Sequence, residues 1–187
     1  SMDGPKMDNL KKAVMELIAT LRPEDLVSVV VFDETAEVIV PSQPAADKAA
    51  LNHRVEAMRV QGGTAMSTGL ELGMNELRKG IAPDRASYVL LLTDGQTWGD
   101  EDQCRAIAQM LGQMGAQITA LGLGDEWNEK LLDDLAAATQ GTSDYIANAQ
   151  DIGNYFQRVA QVAQNTAIRN GRLLIRLGQE VTPRAVY

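Results

Sequence analysis

Histidine and cysteine occur once each in this chain, as His53 and Cys104, and Phe, Trp and Tyr together make up only 4% of it. With one imidazole there is no second candidate for a general base, which argues against a Ser-His-Asp arrangement. His53 itself lies in "ALNHRVEAM", on a helix face expected to be solvated or half packed. Cys104 has no partner for an internal disulfide, so a reducing, cytoplasmic setting is expected. No apolar run approaches the roughly 18 residues of a membrane helix, and no signal-peptide pattern is present. Basic charge is also scarce. Against 25 acidic residues stand 17 Lys and Arg, giving a net charge of -8, and no Lys/Arg cluster offers a surface for tracking phosphates. Nucleic acid is therefore not an expected partner. The usual phosphate and dinucleotide signatures are missing as well. No GxxxxGK is followed by Ser or Thr, "GLGDEW" has too few glycines for a dinucleotide fingerprint, and "AMSTG" lacks the first Gly of a nucleophile elbow. No enzymatic activity is expected.

What is present is a core and a strict alternation. A hydrophobic content of 45% over 187 residues suits one packed domain of ordinary size. Met7, Leu10, Val14, Leu17, Ile18 and Leu21 recur on one helical face, and Arg22-Pro23 closes that helix, which spans about Lys6–Leu21. "LVSVVVF", Leu26–Phe32, is apolar almost throughout, as in a strand covered on both faces. Ala36–Val40 follows after "DETA" and reads as the second strand of a hairpin at a sheet edge. Helices are then expected at Ala45–Met58, Ser67–Lys79, Glu101–Met114, Glu126–Thr139 and Asp151–Ile168. Strands at Tyr88–Thr93, Gln117–Leu123 and Asp144–Ala147 alternate with them. That order is the pattern of an α/β domain with a mostly parallel sheet. Cys104 and the methionines Met66, Met74, Met110 and Met114 fall at plausible core positions. After Gly171 the pattern changes to "RLLIRLGQEVTPRAVY", so the domain is expected over 1–170, with 171–187 as the start of a following domain or a C-terminal extension.

Two loop positions carry candidate chemistry. In open parallel sheets ligands sit beyond the carboxyl ends of the strands, which is where Asp94 ends "YVLLLTD". Asp94 followed by Gly is also a common turn pair. Thr64, in "GGTAMSTG", opens a helix and has an equally simple role as a cap or turn hydroxyl.

"SMDGPKMDNLKKAV", "GGTAMSTGL" and "VLLLTDGQT", in this order, resemble the von Willebrand factor A family. The metal-ion-dependent adhesion site of that family uses an Asp-x-Ser-x-Ser loop, a Thr and a distant Asp. The resemblance covers about Ser1 to Ile168 and implies a Rossmann-like three-layer sandwich with a mostly parallel central sheet and one antiparallel edge strand. It implies Ser1, Thr64 and Asp94 as metal ligands, Ser1 being the last residue of the loop; Ser1-Met2 also reads as a tag-removal remnant before a start Met. The first strand of the family and the Asp-x-Ser after it would precede Ser1 and are not in the sequence. Mg²⁺, or Mn²⁺ or Ca²⁺ in its place, would suit hydroxyls and one or two carboxylates drawn from separate loops. In this truncated chain binding is expected to be weak or absent.

The implied function is a metal-dependent protein-interaction module that takes a partner's acidic side chain through the ion. The partner would be a neighbouring domain or, as with many bacterial members, an AAA-type ATPase. Two alternatives stay open: a structural scaffold whose metal site does not function, and a flavodoxin-like enzyme or receiver using Asp94 with Asp33 and Glu34. The family's first strand lies between those at Leu26–Phe32 and Tyr88–Thr93, so something must fill that slot. Residues upstream of Ser1 are the expected occupant; Arg172–Leu177 is the other candidate, disfavoured by Arg172 and Arg176.

Overall fold

The computed structural model describes residues 4–59, 62–166, 172–177, 180–182 and 185–186. The first helix, α1 (Pro5–Ala19), buries Met7, Leu10, Val14, Leu17 and Ile18, as its spacing predicts. It leads into the hairpin of β1 (Leu26–Phe32) and β2 (Ala36–Pro44), which pair antiparallel. There follow α2 (Lys48–Glu56), α3 (Met66–Arg78), β3 (Ser87–Thr93), α4 (Glu101–Gln113), β4 (Ala116–Leu123), α5 (Glu129–Ala137), β5 (Thr142–Ile146) and α6 (Ile152–Thr166). Three short strands come last, β6 (Arg172–Leu177), β7 (Glu180–Thr182) and β8 (Ala185–Val186).

Several ends shift from the sequence expectation for local reasons. The β2 strand runs on to Pro44, because an edge strand tolerates proline, and α2 starts only after the Asp47 carboxylate accepts the Ala50 amide at 3.0 Å. In the same way Asn128 caps the Leu131 amide at 3.0 Å and delays α5 to Glu129.

One sheet joins the strands in the order β2-β1-β6-β7-β3-β4-β5, with β8 on β6. The expected α/β architecture is therefore present: β3, β4 and β5 are parallel, and β2 is the antiparallel edge. Period-two alternation sends successive residues of a strand to opposite faces. On one face Leu90, Leu92, Leu121 and Leu123 meet Leu10, Leu17 and Phe156 of α1 and α6. On the other, Val89, Leu91, Ile118 and Ala120 meet Leu70, Leu77, Ile107 and Leu132 of α3, α4 and α5. Each fully buried Leu or Phe stabilises the sandwich by roughly 1.5–3 kcal/mol.

The slot between β1 and β3 is filled, but by the occupant the sequence disfavoured. The β6 strand pairs parallel with β1 from Leu26↔Arg172 to Val30↔Arg176, and with β3 at Val89↔Leu174 and Leu90↔Ile175. Its centre, Leu174–Ile175, lies between β1 and β3, whereas the Arg172 position lies between β1 and β8 and the Arg176 position between β1 and β7. Further along, β7 bridges the same two strands antiparallel, setting Glu180 opposite both Phe32 and Thr93. Residues of the segment set apart at 171–187 thus form part of this sheet.

Candidate functional site

The carboxyl ends of β1 and β3 lie on one edge of the sheet, and the loop before α3 is tied to both. From the β1 side, the Ala65 amide donates to the Asp33 carbonyl at 2.6 Å. Gly63 makes that approach possible. It has φ 101°, and a Cβ there would stand 2.3 Å from Cγ of Glu34, so no other residue fits without displacing the hairpin. From the β3 side, Thr97 Oγ1 donates to the Thr64 carbonyl at 2.9 Å and also contacts the Asp100 carboxylate. Asp100 in turn accepts the Ser67 amide at 2.8 Å, in the first turn of α3. Thr97 is 1% exposed, so its hydroxyl works away from water, where a hydrogen bond is hardest to replace.

These ties bring the loops of two of the expected site residues together. Thr64 is half-buried at the mouth of α3, next to the loop that begins with Asp94. The side chain of Asp94 is 1% exposed, and the Lys6 ammonium from the first turn of α1 lies 3.7 Å from Oδ2. The turn after it is fixed by Thr93 Oγ1, which donates to the Gly95 carbonyl at 2.8 Å. Ser1 lies outside the described residues. Thr97 and Asp100 were not singled out from the sequence; the signal was available in "TDGQTWGD", where a Thr and an Asp three apart precede a helix.

The other candidates fall elsewhere. His53 is exposed on α2, and Cys104 is fully buried in α4. Met66 and Met74 are buried at 1% and 4%, but Met110 is 38% exposed and corrects the core expectation. The buried stripe of α4 runs through Cys104, Ile107, Ala108 and Leu111, which turns position 110 outward. The Asp33 carboxylate accepts the Thr35 amide at 2.9 Å, so it serves its own hairpin turn. Among the described residues no group of three or more His, Cys, Asp or Glu side chains could hold a metal. What this edge offers is one buried carboxylate and hydroxyls, a hard-oxygen set. That set fits Mg²⁺, which keeps several waters and accepts few protein ligands; it does not fit a soft thiolate or imidazole site.

Comparison with known proteins agrees with this architecture. The model of the von Willebrand factor type A domain matches residues 1–161. The uncharacterized protein sll0103 of Synechocystis sp. is 35% identical over 181 residues, covering 96% of this chain and 43% of that protein. YfbK of Escherichia coli is 24% identical over 92% of this chain and 29% of its own length. The chain thus spans less than half the length of these curated relatives. Among solved structures, a von Willebrand factor type A protein from Catenulispora acidiphila superposes with a TM-score of 0.74 at 24% identity, covering 82% of this chain and 37% of that one. Proximal thread matrix protein 1 from the mussel byssus, with a zinc-occupied adhesion-site motif, gives 0.68 at 19% identity over 95% of this chain and 42% of that one. With the family model matching most of its length, the chain belongs to the von Willebrand factor type A domain family.

Proposed function

We propose that this domain is a metal-ion-dependent protein-interaction module, without catalytic activity of its own, that captures a partner's carboxylate through Mg²⁺ held at Thr64 and Asp94. Ser1, outside the described residues, is assigned to the same ion through the family pattern. One observation carries the reading: Thr97 and Asp100 bolt the Thr64 loop onto the loop of the buried Asp94, so oxygen donors from separate segments share one edge. The ion would supply a Lewis-acidic position for an outside oxygen. Hydroxyl donors keep that position electrophilic, since they add no negative charge. The zinc in the related mussel protein supports a divalent ion at this motif. Mn²⁺ or Ca²⁺ are the other candidate ions, and a neighbouring domain or an AAA-type ATPase is the partner class we favour. No described helix is long and apolar enough to cross a membrane; the lone, buried Cys104 fits the cytoplasm.

Lys6 favours a second reading. An ammonium 3.7 Å from Asp94 can balance the carboxylate without any ion, as in a purely structural scaffold. Calorimetry with Mg²⁺ and Mn²⁺, on this chain and on one extended before Ser1 to include an Asp-x-Ser, separates the two. The extended chain should bind, the 187-residue chain weakly at best, and Asp94→Ala should abolish the heat. Unchanged affinity in Asp94→Ala removes that residue from the site, and an extended chain that takes up no ion leaves the scaffold reading.

A further inference from the structure

The chain has two tryptophans, and the sheet places them in equivalent positions. Thr93 of β3 is the register partner of Gly122 of β4, and Trp98 and Trp127 each stand five residues after these partners, in adjacent loops on the same edge. Their environments are opposite. Trp127 folds back over Gly122, donates its indole N–H to the Gly124 carbonyl at 2.8 Å and stacks on Tyr145 with ring centroids 5.6 Å apart. Trp98 is 81% exposed.

That exposure is built into the loop. Thr97, immediately before Trp98, is turned inward onto the Thr64 carbonyl; Gly99, immediately after it, has φ 81°; and Asp100 is fastened to the Ser67 amide. With neighbours on both sides anchored, the indole is carried outward on a loop that is already ordered. A large aromatic side chain left in water has no folding role to account for it. Held on a preorganised support, it binds without the entropic cost of ordering a loop, and tryptophan is among the residues that dominate interface energetics.

The surroundings say what should meet it. Asp33–Thr35, Gly62–Ala65 and Asp94–Asp102 contain no lysine or arginine; two cations reach them from outside, Lys6 at 3.7 Å from Asp94 and Arg105 at 3.0 Å from Asp102, and with Asp33, Glu34, Asp100 and Glu101 also in these stretches the edge stays net acidic. Glu34 packs against Gly63, and Asp102 is fully exposed on the first turn of α4. A partner bringing one more carboxylate to this edge is repelled unless cations accompany it, and the face of an indole is the best aromatic platform for a cation.

We propose that Trp98 is the specificity-determining contact of this edge: it receives a lysine or arginine side chain that flanks the carboxylate offered by a protein partner. The inference rests on the metal-bridge reading of Thr64 and Asp94, and its test distinguishes the two. In the chain extended before Ser1, Trp127→Phe leaves Trp98 as the reporter among these residues. Three synthetic peptides, each with one Glu flanked on both sides by Lys, by Leu or by Gly, are titrated in Mg²⁺ and again in chelator. The Lys-flanked peptide should bind about tenfold more tightly than the Gly-flanked one and shift the Trp98 emission. Trp98→Ala should erase that preference while leaving Mg²⁺ affinity by calorimetry unchanged. Chelator-sensitive binding with equal affinities, with preference for the Leu-flanked peptide, or with a preference that survives Trp98→Ala overturns the role of Trp98 and leaves the metal bridge standing. Absence of chelator-sensitive binding for all three overturns both.

Discussion

Thr97 shows how much one small side chain can hold. Its single hydroxyl proton is shared between the Thr64 carbonyl and the Asp100 carboxylate, and its oxygen also faces the Met66 amide at 3.5 Å. Replacing Thr97 by Val keeps the shape and removes every one of these bonds. We expect the variant to lose about 1–3 kcal/mol in urea unfolding, since the half-buried Thr64 carbonyl and Asp100 carboxylate lose the hydroxyl that ties them together, whereas Thr97→Ser should lose little. The spacing of Thr97 and Asp100 was a local signal, but the Thr64 carbonyl and the Met66 amide lie more than thirty positions away and left none; Asp94, by contrast, was legible from the strand that ends at it. At the surface a different residue sets the acid response. Lys130, at 3.0 Å, and then Arg105, also at 3.0 Å, hold the Asp134 carboxyl below its ordinary value. A depressed carboxylate stabilises the fold above its unfolded value, and that contribution is lost as pH falls through the folded one. Asp134→Asn should therefore flatten the fall in Tm as pH drops below the ordinary carboxylate range, read by calorimetry.

The elements were readable where an amphipathic stripe defines them and less so at their ends, where single side chains decide. The buried faces of α1 and α3 match the apolar spacing of the sequence, and so does most of α4, but the starts of α2 and α5 depend on Asp47 and Asn128 as caps. The fit of α3 against β1 was not readable at all. A Cβ on Gly69 would stand 2.4 Å from the Phe32 ring, so the helix reaches β1 only because that position is bare. Gly69→Ala should cost about 1–3 kcal/mol by overpacking, in spite of the better helix propensity of alanine. Because Thr64 lies at the mouth of α3, a helix pushed outward also carries its loop away from Asp94. In the chain extended before Ser1, the same variant should weaken Mg²⁺ uptake in calorimetry, a loss that a change confined to stability does not produce at temperatures where the chain stays folded.

For the whole molecule, a slot between β1 and β3 followed from the family resemblance, and hydrophobicity required it to be filled, since both strands are apolar on two faces and an open gap would leave two unpaired edges. Which segment of this chain fills it did not follow, because strand pairing over such a separation leaves no local trace, and the two arginines argued against β6. With β6 in the slot, order along the chain and order across the sheet are at odds. On the ribosome, which adds about 5–20 residues each second, β1 is complete long before Arg172 exists, and β3 waits through some eighty further residues. Until β6 and β7 emerge, no other described strand joins the β2-β1 hairpin to the β3-β4-β5 group. Closure of the sheet is then a late event that depends on contacts far apart in sequence, which are slow to form. Pulse-labelled hydrogen exchange during refolding should find the Val29, Val31 and Leu90 amides protected together, in the slowest phase; protection of Leu90 in step with the β4 amides, ahead of Val29 and Val31, would show the halves closing without their shared strand.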